Sequence, residues 1–248
     1  MSEPKSAGGG AQGGRFLPTR WSLVQAAGRA STPEGRAALE ELAQSYWFPL
    51  YAYLRRAGEA EQEAADLVQG LFALLIERGD LSSAKAERGR FRTWLLSSLR
   101  HHLLNERERA AALKRGGGAR ALSLDAQEAE QRYATEPADE LTPERLYDRQ
   151  WALEVLARAM GAVEQHYARR GQQALFDGLR PRLAGAGEAA PYAELAARLG
   201  LEEGALKVAA HRARKRFAGA LRAEIAETCS DPSEVEAELA ALFEALGR

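Results

Sequence analysis

The segment PYAELAARLGLEEGALKVAAHRARKRF occupies residues 191–217 and carries the strongest structural signal in the chain. Pro191 suits the first turn of a helix, because a residue there needs no backbone N–H donor. Gly200 then ends this helix at a position where a positive φ angle is usual. Apolar residues next recur at the spacing of a second helix, at Leu206, Ala210, Ala213 and Phe217. Two short helices joined by a tight, glycine-containing turn predict a helix-turn-helix.

The second helix of this pair is basic. Residues 205–222 contain six Lys or Arg residues and no Asp or Glu. A helix-turn-helix places its second helix in the major groove of DNA, where such one-signed charge faces phosphates. The alternative is an αα-hairpin in a helical bundle, with a basic face that is simply solvated. The pattern favours DNA binding.

Composition extends the helical prediction to the whole chain of 248 residues. Ala and Leu dominate, Val, Ile and Thr are few, and no segment alternates with period two for long, so we expect an all-α fold. A glycine cluster and weak apolar periodicity predict two helical domains joined by a flexible linker. The expected boundaries are a disordered tail at 1–14, a first domain at 15–110, a linker at 111–141, a second domain at 142–222 and a C-terminal extension at 223–248.

Charge is unevenly distributed although the net charge of the chain is −1. Residues 86–120 carry a net charge of +6, residues 121–148 carry −6, and residues 224–244 carry −7. Two basic blocks in an otherwise acidic protein predict two modules that contact DNA. The acidic C-terminal segment is expected to fold over the basic second helix and compete with DNA. Equally, it could be a solvated helix that extends the bundle.

Proline positions predict helix boundaries. Thr32-Pro33 and Thr142-Pro143 each combine an N-cap residue with a proline at the first helical position. Pro181 is expected to break a short amphipathic helix, because proline lacks the N–H that an interior position needs.

The residues that could support catalysis or metal binding are sparse. Cys229 is the single cysteine, which excludes an intramolecular disulfide and a CxxC metal site. His101 and His102 are adjacent on a predicted helix, so their side chains diverge by about 100° and do not easily share a metal. We therefore expect no enzymatic activity and no cofactor. No apolar run is long enough for a membrane span or a signal peptide, so a cytoplasmic location without membrane attachment is expected.

The order of the segments resembles a bacterial RNA polymerase sigma factor of the extracytoplasmic-function (ECF) group, in a branch with an extended linker and C-terminal tail. ADLVQGLFALL at 65–75 is similar to region 2.2 of that family, FRTWLLSSLRHHLLNERER at 91–109 to regions 2.3 and 2.4, and residues 191–217 to region 4.2. The resemblance covers nearly all of the chain after the glycine-rich tail. It implies a region 2-like bundle, a region 4-like helix-turn-helix, and a role in transcription initiation.

The resemblance also implies partners and sites. Asp66 and Gln69 match the positions that dock on core RNA polymerase. The helix at 94–109 and the loop at 80–90 match the reader of the single-stranded minus-ten promoter element, with contacts expected at Arg92, Arg100, Asn105, Arg107 and Arg109. The basic second helix matches the reader of the duplex minus-thirty-five element, with contacts expected at Lys207, His211, Arg212, Arg214 and Lys215. An anti-sigma protein is a further partner of such factors.

Two other classes compete with this interpretation. A stand-alone helix-turn-helix regulator with a helical interaction domain explains residues 191–217, but not the second basic block or Asp66 and Gln69. An all-α protein-interaction adaptor would need neither basic block. Binding to core polymerase separates the first class from the other two.

Overall fold

The computed structural model describes residues 24, 26–28, 32–78, 81, 90–112, 126–136, 141–185, 190–226, 229 and 231–247. Helix is the regular secondary structure of this described part, which contains no strand. The predicted all-α class is therefore confirmed. The tail expected at 1–14, and all of the loop at 80–90 except residues 81 and 90, lie outside the described residues.

The described part of the chain contains nine α-helices, with a short 3₁₀ segment before the last one. They are α1 (Pro33–Arg56), α2 (Glu61–Arg78), α3 (Phe91–Ala112), α4 (Ala126–Ala134), α5 (Pro143–Ala168), α6 (Gln173–Ala184), α7 (Tyr192–Leu199), α8 (Glu203–Ala226), the 3₁₀ segment Pro232–Glu234 and α9 (Val235–Ala245).

Both predicted N-caps are confirmed. Thr32 Oγ1 accepts a hydrogen bond from the backbone N–H of Gly35 at 3.0 Å, and Thr142 Oγ1 accepts one from the N–H of Arg145 at 3.3 Å. A proline occupies the first turn of each helix. These caps satisfy N–H groups that have no partner inside the helix, and they fix where α1 and α5 begin.

The expected break at Pro181 is wrong. Helix α6 continues to Ala184 and ends at Gly185, which adopts a left-handed conformation with φ of 72°. Leu179 and Leu183 are buried on either side of the proline. Packing of this last turn compensates for the single backbone hydrogen bond that the proline removes.

Helix α4 lies inside the segment expected to be a linker, and the sequence analysis missed it. It is short and polar, so it lacks a wide apolar stripe that a periodicity search detects. Ala129 is its buried residue. The Arg132 guanidinium lies 3.8 Å from the ring centre of Phe48 on α1, and it also pairs with Glu154 on α5 at 2.7 Å. Contacts that are remote in sequence therefore hold this helix in place.

Buried side chains form two clusters, and α5 contributes to both. Its first half packs mainly on α1, and its second half packs with α6 and α8. The α5 side chains in the first cluster are Leu146, Tyr147, Trp151, Ala152, Val155 and Ala159. Those in the second are Val163 and Tyr167. The helix that begins at the start of the expected second domain therefore connects the two clusters directly.

The C-terminal extension contains a capping turn and joins the first cluster. Asp231 Oδ1 accepts a hydrogen bond from the N–H of Ser233 at 2.8 Å, which starts the 3₁₀ segment. Leu239 and Leu242 of α9 are buried in the first cluster, where α9 packs against α5 and the end of α8. This position places α9 close to the start of α3, through contacts described below.

Candidate nucleic-acid interface

Helices α7 and α8 pack against each other across a tight turn, as the sequence predicts for residues 191–217. Gly200 ends α7 with φ of 65°, and the N–H of Leu201 donates to the carbonyl of Ala196 at 2.9 Å. A residue with a side chain is strained at such an angle, which explains the glycine. Leu195 and Leu206 are buried between the two helices, together with Ala196, Ala210 and Ala213.

The predicted DNA-contacting side chains of α8 are all exposed: Lys207, His211, Arg212, Arg214 and Lys215. Lys207 pairs with Glu203 one turn earlier at 2.6 Å, and the hydrogen bond between them raises the pKa of Lys207. Arg214 donates to the Tyr192 hydroxyl at 3.2 Å. The half-exposed Val208 adds an apolar contact surface beside Lys207. The exposed face therefore offers donors, positive charge and one aliphatic group.

A cationic cleft of about 610 Å³ lies between the end of α5 and the second half of α8. Its polar lining comes from His166, Arg169, Arg212, Lys215 and Arg216, with no carboxylate among the lining residues. Within the described part of the chain, Arg169, Arg212, Lys215 and Arg216 form no ion pair. Positive charge here has no carboxylate counterion among the described residues, so the cleft suits an external anion.

His166 lines this cleft, and its pKa responds to the surrounding positive charges. Desolvation, followed by the nearby charges of Arg216, Arg170 and Arg169, lowers its pKa below 6.5. A bound anion would act in the opposite direction and favour the protonated imidazole. Arg212 and Lys215 were expected from the sequence to contact DNA, whereas the α5 side of this cleft was not predicted. The Arg-Arg pair at 169–170 is the signal that could have found it.

Three cations of α3 differ from those that line the cleft, because each of the three pairs with a carboxylate within the protein. Arg100 forms an ion pair with Glu144 and donates to the Tyr53 hydroxyl at 2.9 Å. Arg107 and Arg109 are exposed, yet each also has a carboxylate partner. Those partners are Glu59 for Arg107 and Glu106, at 2.6 Å, for Arg109. Asn105 is exposed on the same helix.

Arg92, expected above to contact the minus-ten element, is buried rather than exposed. Its residue exposure is 9%. Its Nε donates to Glu238 of α9 at 2.8 Å, and it also pairs with Asp148 of α5. Its guanidinium lies 4.4 Å from the ring centre of Trp151. A long-range ion-pair network therefore draws this arginine into the protein, and a local helical pattern does not encode such partners.

The two residues expected to dock on polymerase lie on α2. Asp66 is exposed and accepts a hydrogen bond from the Gln62 side chain at 3.1 Å, while Gln69 is half-buried. The opposite face of α2 is buried in the first cluster through Ala64, Leu67, Val68, Leu71, Phe72 and Leu75. A Cβ atom added at Gly70 would lie 2.9 Å from His102 Nε2, so this glycine allows α3 to approach closely.

The described residues also bear on metal binding and on membrane spanning. No group of three or more His, Cys, Asp or Glu side chains among them could hold a metal ion. None of the helices in the described ranges is long and apolar enough to cross a membrane. Comparisons with protein-family models, with curated proteins and with solved structures found no match to the chain.

Proposed function

We propose that the chain is a sigma factor of the ECF type, which binds core RNA polymerase in the cytoplasm and directs transcription from specific promoters. The observation that carries this proposal is the exposed basic face of α8, the second helix of a helix-turn-helix. Three of its six Lys and Arg residues, Arg212, Lys215 and Arg216, have no ion-pair or hydrogen-bond partner among the described residues. An external polyanion is the partner that this distribution favours.

The face of α8 has the chemistry for reading duplex DNA at a minus-thirty-five element. Lys207 and His211 would face base edges near the start of the helix, and Val208 would contact a thymine methyl group. Arg212, Arg214 and Lys215 would hold the phosphate backbone. The cleft that includes Arg169 extends this phosphate-binding surface onto α5, and such contacts fix the register of a recognition helix.

A second contact, to the melted minus-ten strand, would use Arg100, Asn105, Arg107 and Arg109 on α3. The three arginines are exposed but paired, so phosphates would replace Glu144, Glu59 and Glu106 as their partners. Asp66 and Gln69 would dock on core polymerase. In this proposal α1–α3 belong to a region 2-like domain and α6–α8 to a region 4-like domain, with residues 111–141 between them, and α5 packs with both sets of helices. An anti-sigma protein would regulate the pair.

Transcription with purified components tests the proposal. Core RNA polymerase alone and core polymerase with the chain are compared on fragmented genomic DNA of the source organism. We expect discrete new transcripts that require the chain, and their loss in a Lys207→Ala/His211→Ala variant that still binds core polymerase. A chain that binds core polymerase but yields no specific transcript would contradict promoter recognition.

A stand-alone DNA-binding regulator is the second candidate, and one observation favours it. The cations Arg100, Arg107 and Arg109 of α3 pair with carboxylates within the protein. Arg212, Lys215 and Arg216 of α8 form no ion pair among the described residues. Such a regulator would bind duplex DNA without polymerase and would need a different sigma factor for transcription. The same reconstituted reaction separates the two candidates. If the chain is a stand-alone regulator, core polymerase with the chain as its sole specificity factor yields no specific transcript.

A further inference from the structure

Glu238 on α9 is 1% exposed, and two arginines surround its carboxylate. Arg92 Nε donates to its Oε1 at 2.8 Å, and Arg90 Nε lies 2.8 Å from its Oε2. A buried carboxylate is costly unless cations of this kind compensate for its lost hydration. The pairing with the two arginines at the start of α3 therefore explains the acid at residue 238, since burial alone would not favour a carboxylate there.

Packing of α9 would not by itself require an acid at this position. Leu239 and Leu242 already bury the helix in the first cluster. A neutral residue beside them would avoid the desolvation of a charge, and replacing buried ion pairs by apolar groups is often neutral or stabilising. The acid thus has a specific consequence, which is to pair with Arg90 and to occupy Nε of Arg92, whose Nη1 pairs with Asp148.

We propose that α9 is an intramolecular latch that withholds Arg92 and Arg90 from single-stranded DNA. This inference rests on the proposed function, because α3 is the helix assigned to the melted minus-ten strand. Carboxylate and phosphate oxygens both form strong charge-assisted hydrogen bonds with arginine. Glu238 and a DNA phosphate therefore compete for the same donors, and the strand binds these two arginines when α9 moves away.

The acidic C-terminal segment contacts a different basic surface from the one expected from the sequence. The acidic segment was expected to cover the basic face of the recognition helix. In the structure, its contact with the basic block of α8 is at the far end, where Glu236 pairs with Arg222 at 3.1 Å. The cations that would face DNA, Lys207 to Lys215, remain exposed. In this proposal α9 therefore regulates the binding of single-stranded DNA, and not the binding of the duplex element.

Glu236 provides a matched control for Glu238. Both lie on α9 and both pair with arginine, but Glu236 is exposed and its partner Arg222 is far from α3 in the sequence. Glu238→Gln and Glu236→Gln each remove one negative charge from the same helix. A general electrostatic effect on DNA affinity would be similar in the two variants. Release of Arg92 and Arg90 from α9 is expected in Glu238→Gln alone.

The test measures binding of the full chain to a fluorescent single-stranded oligodeoxynucleotide of mixed sequence at low salt. We expect Glu238→Gln to tighten binding about tenfold relative to Glu236→Gln, since one charged contact to DNA is of that order. The double variant Arg92→Gln/Glu238→Gln should lose most of this gain, because the donor itself is gone. Equal affinities of the Glu238→Gln and Glu236→Gln variants, with the same helical circular dichroism, would overturn the latch.

A second test uses the wild-type chain, so its result does not depend on whether a variant folds. Saturating single-stranded DNA should speed hydrogen exchange of the α9 amides, because DNA displaces Glu238 from the arginines. Unchanged exchange in α9 at saturation would overturn the latch. Binding of the wild-type chain to core polymerase is measured separately, so a chain that binds polymerase but shows no latch contradicts this inference and leaves the proposed function standing.

Discussion

Glu130 on α4 accepts two hydrogen bonds from the guanidinium of Arg55 on α1, from Nε at 2.9 Å and from Nη2 at 2.8 Å. The Tyr51 hydroxyl donates a third to the same carboxylate at 2.5 Å. Paired contacts between an arginine and a carboxylate are among the stronger polar interactions in proteins. These hydrogen bonds hold α4 against the first cluster, although Glu130 is 75 residues from Arg55 in the sequence.

The Glu130→Gln variant should lower the free energy of unfolding by about 1–3 kcal/mol, because it weakens charge-assisted hydrogen bonds to a partly buried arginine. Urea denaturation followed by circular dichroism measures this change. Glu128→Gln, at an exposed position of the same helix, serves as the control and should stay within about 0.5 kcal/mol of wild type. Equal stabilities of the two variants would show that the Arg55 contact does not anchor α4.

The same carboxylate predicts a pH dependence. Hydrogen bonding by Arg55 is the main cause that lowers the pKa of Glu130 below 4.5. A group with a lowered pKa in the folded state stabilises the protein above its unfolded pKa, and this stabilisation is lost as the pH falls through the folded pKa. The stability difference between wild type and Glu130→Gln should therefore be constant near neutral pH and shrink below about pH 4.5. A difference that grows on acidification would contradict the assignment.

Close packing of Gly70 against His102 predicts a coupling between α2 and α3. In a helix interior alanine is more favourable than glycine by about 1 kcal/mol, but a side-chain carbon at residue 70 would press on the His102 ring. Gly70→Ala should therefore gain less stability in the wild type than in a His102→Ala background. A double-mutant cycle of thermal or urea unfolding measures the coupling, and additive effects would show that the ring moves aside freely.

The local features of the fold could be predicted from the sequence. The caps at Thr32 and Thr142 and the left-handed Gly200 depend on a few neighbouring residues, so their chemistry is visible in short segments. The exposed cations of α8 also follow from local periodicity, because apolar residues on one side of a helix define the other side.

The features that the sequence analysis missed depend on partners remote in the chain. Arg92 is buried because Glu238, 146 residues later, supplies its counterion. Helix α4 exists in the expected linker because Arg55 and Phe48 hold it, and the end of α6 persists beyond Pro181 because it is packed. Helical periodicity carries no information on such pairings.

Duplex DNA binding should depend on the unpaired cations of the α8 face. Arg212→Ala and Lys215→Ala should each weaken binding and reduce the slope of log affinity against log salt concentration by about 0.9, since each removes about one phosphate contact. Arg158→Gln is the control, because Arg158 already pairs with Glu224 at 2.9 Å. Fluorescence anisotropy over a salt series provides the slopes. A slope that falls equally in the control would assign the effect to net charge.

Asp66 and Gln69 should contribute to polymerase binding without supporting the fold. The variant Asp66→Ala/Gln69→Ala should weaken the affinity for core RNA polymerase by about tenfold or more, since loss of a charged and a neutral hydrogen bond is of this size. Its helical circular dichroism should be unchanged, because Asp66 is exposed and the opposite face of α2 holds the core. Glu63→Ala, also exposed on α2, is the control. Unaltered affinity of the double variant would remove these two residues from the interface.

The proposed function depends first on one interaction, which is binding of the full wild-type chain to purified core RNA polymerase. A titration of fluorescently labelled chain with core polymerase measures it, with unlabelled chain as competitor. The proposal predicts a saturable, stoichiometric complex that unlabelled chain displaces. The absence of any such complex, with a folded chain that still binds duplex DNA, would contradict the sigma-factor function and favour a stand-alone regulator.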